Sequence, residues 1–469
     1  MVVSAVDRPK PRRQQHDRRP TGQDRPDDGA PEPVGLASRR AAARLLAAVV
    51  DAATSLDGLT DAEHGHPQFR ALAERDRSLV RAIIVSALRF RRTIEALLSA
   101  RLDRPLPGNA TTLSHILHVA AAQILFLDVP DSAAVDLAVA HAKTDPRTRR
   151  FSGLVNAVLR KLAREKGRAL PAALAATVDT PDWLAGRLTA AYGEVVAGKI
   201  VEAHRHEPPI DFTVRGDPGA WAERLGGIVL PTGSVRVATL SGRVPDLPGY
   251  AEGEWWVQDA AASLPARLFG DVAGMRVADL CAAPGGKTAQ LALAGARVTA
   301  IDSSASRLRR LGENLARLKL PAEIVQVDVT AHRPAELYDA VLLDAPCSST
   351  GTIRRHPDVA WTKGPADVEK LAALQERLLT AAVELVKPGG RLVFSNCSLD
   401  PEEGEQLRER LLALLPDLVD DPVQAGEIPA VDPWLTAAGT VRTTPADLDL
   451  GNPAVSGMDG FFAARFRRR

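Results

Sequence analysis

Three domains are predicted for this chain: an all-α domain, a small α+β connector, and an α/β domain built on a parallel sheet. Three observations predict them. From Ala37 to Gly167 apolar residues recur at helical spacing throughout. After Trp255 the pattern changes to strand, turn and helix, with five candidate strands. A length of 469 residues suits two to three domains.

Residues 1–35 hold six prolines, seven Lys/Arg and six Asp/Glu with almost no large apolar side chains. Such a segment buries too little apolar surface to offset its ordering entropy, so 1–35 is expected to be a disordered tail. In the next segment, 36–167, the sets Val80, Ile83, Ile84, Ala87, Leu88 and Leu154, Val155, Val158, Leu159, Leu162 mark core-facing helix stripes. The turn clusters Asp103–Asn109 and Lys143–Arg147 separate the helices. Its basic residues crowd Arg75–Arg92 and Arg147–Arg168, where solvated helix faces and an anionic partner are both open readings. Residues 168–250 read as two short helices, a strand at 208–215, and Gly/Pro-rich connections, a small α+β connector. In 251–469 the candidate strands are 275–281, 296–302, 322–328, 338–346 and 389–398, with helices between them.

Composition excludes several classes. With 45% hydrophobic and 25% charged residues the chain is ordinary globular material. Net charge is +1, so an anionic partner must be met by local basic patches. No apolar run approaches the roughly 18 residues that span a bilayer, and the start lacks the apolar core of a secretory signal. Three cysteines do not make a disulfide framework, which fits a reducing cytosol. Nor do they form a paired zinc motif, so no metal is expected.

In a parallel sheet flanked by helices, ligands sit beyond the carboxyl ends of the strands. Asp279 and Cys281, Asp302, Asp328, Asp344 and Cys347, and Cys397 all fall near predicted strand ends. The loop Asp279–Thr288, DLCAAPGGKT, is not a phosphate loop, because Cys281 stands where its first glycine belongs. It also lacks the dinucleotide fingerprint. What remains is a tight turn in which Pro284 restrains the backbone and Gly285-Gly286 clear space for a ligand. Asp302 can accept from the two hydroxyls of a ribose, and Asp328 can reach a base amino group. That ordered set suits an adenosine-type ligand, with a nicotinamide cofactor and S-adenosylmethionine both open.

The cysteines bear on that choice. Cys281 reads as a small buried hydrophobe. Cys347, in Asp-Ala-Pro-Cys, and Cys397, in Asn-Cys-Ser, stand beside groups able to perturb a thiol. Methylation of cytosine at carbon 5 needs a thiolate to add at carbon 6 and a carboxyl group at N3 and N4 to stabilise the developing charge. A further group must then take the carbon-5 proton.

From Trp255 to Arg469 the chain resembles the RNA (cytosine-5) methyltransferases of the Sun/Fmu type. The resemblance lies in VQDAAAS, DLCAAPGGKT, AID, QVDVT, LLDAPCSSTGTIRRHPDVAW, KPGGRLVFSNCSLDPEEGE and GMDGFF. RDRSLVRAIIVSALR and FSGLVNAVLRKL resemble the NusB-like RNA-binding domain, a pairing typical of the RsmB-type subgroup acting on small-subunit (16S) rRNA. The resemblance implies a NusB-like domain at 36–167, a connector at 168–250, and a Rossmann-like class I methyltransferase domain at 251–469. It implies S-adenosylmethionine held by Cys281, Ala282, Ala283, Pro284, Gly285, Gly286, Lys287, Asp302, Asp328 and Asp344. It makes Cys397 the nucleophile, Cys347 the helper in resolving the adduct, and Asp344 a catalytic group where cofactor and target base meet. Asn396 departs from the family's usual threonine, and Gly404 from its asparagine.

Arg354, Arg355 and His356 follow Cys347 closely and are expected to hold RNA phosphates. The target base must be unpaired or flipped to reach such a rim. The expected protein is a cytoplasmic monomer with an rRNA substrate and no membrane partner. The alternative is an RNA-binding or antitermination-type factor with a vestigial methyltransferase domain; both thiols and all four rim aspartates argue against it.

Overall fold

A computed structural model of the chain describes residues 32–469 apart from residue 241. The expected tail 1–35 lies outside the described residues except for 32–35, which lead into the first helix. The helical domain comprises α1 (Leu36–Ala52), α2 (Leu56–Leu59), α3 (Pro67–Arg70), α4 (Glu74–Arg89), α5 (Arg91–Ser99), α6 (Thr111–Phe126), α7 (Asp131–Thr144) and α8 (Ser152–Ala176). The residues singled out by helical spacing on α4 and α8 are in its core, except Leu154, which packs at the margin. Helix α8 runs straight through the expected boundary at residue 167.

Helix α9 (Asp182–Ala203) is broken at Gly193, whose φ of 75° is left-handed, so the two short helices of the sequence reading are two arms of one bent element. A four-stranded antiparallel sheet follows: β1 (Ile210–Val214), β2 (Ile228–Val229), β3 (Val235–Val237) and β4 (Trp255–Val257), in the order β2-β3-β1-β4 with α10 (Pro218–Leu225). Because β4 pairs with β1, the connector continues past the expected limit of 250. Its core is Phe212, Trp221, Val235 and Trp255. Beside that core a fully buried Arg236 forks onto Asp211 and donates to the carbonyls of Val455 and Gly457, pinning the connector to the last domain.

The last domain holds β5 (Arg276–Leu280), α11 (Gly286–Leu293), β6 (Arg297–Asp302), α12 (Ala305–Leu318), β7 (Glu323–Gln326), β8 (Tyr338–Asp344), α13 (Val359–Thr362), α14 (Pro365–Leu385), β9 (Val386–Asn396), α15 (Glu405–Leu414), β10 (Leu418–Asp420), β11 (Val441–Thr443) and β12 (Phe461–Arg468). Strands β5 to β9 are parallel neighbours in the order β9-β8-β5-β6-β7. The sheet is mixed rather than all parallel: β12 runs antiparallel between β9 and β10, and β11 pairs with β12. Both faces of the sheet are covered, one by Leu291, Leu311 and Leu315, the other by Leu379, Val383 and Leu407.

The helical domain is fastened to the last domain close to the site. Buried Arg89 donates to the carbonyls of His204, His206 and Arg354. The Trp361 indole donates to Leu88 O, and Leu56 N donates to Asp358. Part of the basic cluster Arg75–Arg92 is therefore interior structure rather than solvated surface.

Candidate active site

The turn after β5 carries the first group of site residues. Cys281 takes φ 59°, an unusual conformation for a residue with a side chain, and Gly285 takes φ 102°. A Cβ on Gly285 would lie 2.9 Å from Leu311 Cγ, so helix α12 leaves room for glycine alone. The chain then enters α11 with no side-chain cap on its first amides. Thr288 of the first turn donates to Asp279 Oδ2 at 2.6 Å. Asp279 lies inside β5, fully buried, rather than on the rim, and burial pushes its carboxyl up to about 7.

The strand ends supply the acids. Buried Asp302 closes β6 and accepts from Ser304 N at 3.0 Å and Ala283 N at 3.4 Å, with Arg307 at 3.1 Å. Asp328 follows β7 by two residues and is exposed; the Thr330 hydroxyl and amide hold its carboxyl below the usual range. Asp344 closes β8, accepting from Ser395 Oγ at 2.9 Å and from Lys287 Nζ at 2.6 Å. The Lys287 ammonium also sits 5.0 Å from the Phe461 ring centre.

The two thiols meet here. Cys347, just past β8, and Cys397, just past β9, have their sulfurs 3.5 Å apart. The Cys347 thiol is pushed up well above its ordinary value, first by its hydrogen bond with Cys397 and then by burial. Cys281 is likewise pushed up, chiefly by desolvation, although it is only half-buried and lines the cavity instead of lying within the core.

Two cavities divide these residues. One, of about 360 Å³, is lined by Cys281, Ala283, Asp302, Asp328, Asp344, Cys347 and Cys397. The second, of about 430 Å³, takes in Ala282, Pro284, Gly286 and Lys287, and shares Ala283 and Asp344 with the first. Gly285 lines neither. The connector forms part of the second wall through Tyr250, Trp256 and Gln258; no motif marks Tyr250 or Trp256, and Gln258 stands in a family-like stretch but was given no role from sequence. Leu374 and Leu378 of α14 line the first cavity and were missed because no motif marks them.

The expectation for Arg354 and Arg355 is overturned. Arg354 is 2% exposed, and Arg355 turns inward to Asp259 at 2.5 Å and Asp459 at 3.2 Å. The two aspartates are themselves buried and need cationic partners, so these arginines neutralise an internal charge cluster; Arg354 is enclosed, while Arg355 keeps a fifth of its side chain exposed. His356 keeps a partly exposed ring, 3.5 Å from Asp57 of the helical domain. The two departures are accommodated locally. Asn396 bridges its own turn, donating to Glu403 O at 2.7 Å and accepting from Ser398 N. A side chain on Gly404 would start 2.5 Å from Arg442 Nη2, so that arginine fills the space. Among the described residues no cluster of three or more His, Cys, Asp or Glu is arranged for a metal, and no helix is long and apolar enough to cross a membrane.

A glycine turn on the first parallel strand, carboxylates at successive strand ends and thiols on the same cavity define an α/β methyltransferase. Residues 271–467 match the family model described as 16S rRNA methyltransferase RsmB/F, and 36–164 match the NusB family. Among curated relatives, ribosomal RNA small subunit methyltransferase B of Klebsiella pneumoniae is 35% identical, covering 92% of this chain and 98% of the relative. The protein of the same name from Xylella fastidiosa is 37% identical at the same coverages. A solved structure, a methyltransferase homologue from Pyrococcus horikoshii, is 26% identical with a TM-score of 0.50, covering 61% of this chain and 94% of that one. The chain belongs to the RsmB/F family of S-adenosylmethionine-dependent rRNA methyltransferases.

Proposed function

We propose that this protein methylates carbon 5 of one cytosine in small-subunit (16S) rRNA, through a covalent adduct with Cys397. The observation that carries the reading is the pair of sulfurs 3.5 Å apart on the cavity that also holds Asp302 and Asp344.

The cavity suits S-adenosylmethionine: Gly285 leaves no side chain against α12, and buried Asp302 lies beside the Ala283 amide. Cys281 to Lys287, Asp302, Asp328 and Asp344 would hold it, and when bound it supplies an electrophilic methyl group. The Cys397 thiolate forms a bond to carbon 6 of the cytosine, making carbon 5 an enamine nucleophile. Asp344, steadied by Ser395 and Lys287, accepts from the N4 amino group, and the Lys287 ammonium beside it offsets the negative charge that develops on the ring. After carbon 5 has gained the methyl group, a solvent water takes its proton, the electron pair of that bond re-forms the carbon 5–carbon 6 double bond, and the carbon–sulfur bond breaks with Cys397 leaving as thiolate. Cys347 assists this release.

RNA affinity fits the outer face of α8, where Arg160, Arg164 and Arg168 are exposed at helical spacing and, among the described residues, have no acidic partner within ion-pair distance. Bisulfite mapping of small-subunit rRNA from a deletion strain tests the function. One cytosine should lose its methyl group and regain it on complementation with the wild-type gene but not with Cys397→Ala. An unchanged methylation map would refute the proposal.

A further inference from the structure

Beneath the two thiols lies a buried carboxylate with no part in the reaction described above. Glu403 is fully buried in the turn that follows Cys397. Three donors converge on its carboxylate: Ser348 N at 2.9 Å, Ser348 Oγ at 2.5 Å and Gln375 Nε2 at 2.9 Å. Its backbone carbonyl accepts from Asn396 Nδ2 at 2.7 Å. Gln375 reaches on to Pro346 O at 3.0 Å, and Ser348 Oγ lies 3.1 Å from Ser398 Oγ. Ser348 follows Cys347, while Asn396 and Ser398 flank Cys397. The Glu403 side chain therefore holds the Cys347 turn directly and reaches the Cys397 turn through its partners, Gln375 Oε1 accepting from Asn396 Nδ2 at 3.4 Å and Ser348 Oγ lying against Ser398.

A buried carboxylate loses several kcal/mol of hydration, and an apolar side chain of similar volume often serves stability as well or better. The value of a charge at this point lies in what it holds in place. We propose that Glu403 is a positioning residue for methyl transfer, acting through Ser348, Gln375 and Asn396 to keep the Cys347 and Cys397 turns in one register. This inference rests on the covalent reading given above. The carboxylate also acts on the neighbouring thiol. Behind the hydrogen bond with Cys397, burial and the charge of Cys397, the Glu403 charge adds to the forces that keep Cys347 protonated. Cys347 is thereby held as a thiol and does not compete with Cys397 for the base.

Glu403→Gln removes the charge and keeps one acceptor, while Glu403→Asp keeps the charge on a shorter arm. Both would be compared with wild type and Cys397→Ala for turnover on unmodified small-subunit rRNA, affinity for S-adenosylmethionine by calorimetry, and the ratio of Cys347 to Cys397 alkylation by iodoacetamide, read by peptide mass spectrometry. Glu403→Gln should lower kcat and raise the alkylation ratio several-fold as the carboxylate's hold on the Cys347 thiol is lost, with cofactor affinity unchanged. Glu403→Asp should recover part of both. A fall in kcat with an unchanged ratio would reduce Glu403 to a structural residue and overturn the proposal, as would wild-type rate and ratio in Glu403→Gln. The Cys397→Ala arm separates the two levels: an active Cys397→Ala refutes the covalent reading, whereas an inactive one beside a wild-type-like Glu403→Gln refutes the positioning role alone.

Discussion

Arg355→Met distinguishes a structural charge from an RNA contact. In the native chain the Arg355 guanidinium meets Asp259 Oδ2 at 2.5 Å and Asp459 Oδ2 at 3.2 Å, and donates to Pro209 O of the connector at 3.0 Å. Methionine matches much of its volume without charge or donors. Both aspartates are then left with Arg354, which stands off at 3.9 and 3.6 Å. Breaking a buried ion pair from one side costs about 3–5 kcal/mol; with Arg354 still near, about 3 kcal/mol is expected. At roughly 2–4 °C per kcal/mol for a domain of this size, the melting midpoint should fall by about 6–12 °C. The assay is a thermal melt of the full chain, paired with rRNA binding measured across a salt series below the variant's melting range. Affinity and the slope of log K against log salt should stay at wild type. An unchanged melt with a slope shallower by about 0.9, the signature of one lost phosphate contact, would refute the reasoning.

The two thiols should fail differently. Cys397→Ala should show no turnover and no covalent RNA adduct, while Cys347→Ala should accumulate a retarded, protease-sensitive band on denaturing gels. The reverse pattern would exchange their roles, and turnover without any adduct in either variant would end the covalent mechanism. Asp302→Ala should weaken S-adenosylmethionine binding by roughly 10- to 100-fold, on the order of 1.5–3 kcal/mol for lost hydrogen bonds to a charged group; unchanged affinity by calorimetry would count against its place on the ribose. His204 is fully buried, with neither ring nitrogen hydrogen-bonded, and burial, reinforced by Arg354 and Arg89, lowers it to about 3. Its folded value lies below the unfolded one of about 6.5, so its contribution to stability is present above that pH and is lost as pH falls toward the folded value. Between pH 7.5 and 5 wild type should lose about 2 kcal/mol more than His204→Leu, and equal losses in urea melts would contradict this.

The legible parts of this protein were those encoded by neighbours in sequence. Period-3.6 stripes marked the core of α4 and α8, and the strand–turn–helix alternation located β5 to β9 to within a few residues, because local spacing decides which face of an element can be buried. The glycine turn and the acids at or just past the ends of β6, β7 and β8 could be assigned to one rim because parallel strands bring their carboxyl ends together. Strands β10 to β12 escaped notice, since each is defined by a partner far along the chain: β12 lies beside β9 only in the folded sheet. The same limit misassigned Arg354 and Arg355. Three polar letters after a motif look like surface, and nothing local reveals that Asp259 and Asp459, about 100 residues away in either direction, arrive on the same point and need their charge. Sequence alone determined which groups the chemistry has at its disposal, whereas tertiary structure decided which charges face the substrate, which are spent inside, and that two thiols 50 residues apart stand 3.5 Å from one another. The physical reason is that periodicity is a property of neighbouring residues, while burial and ion pairing depend on what the rest of the chain brings to the same place.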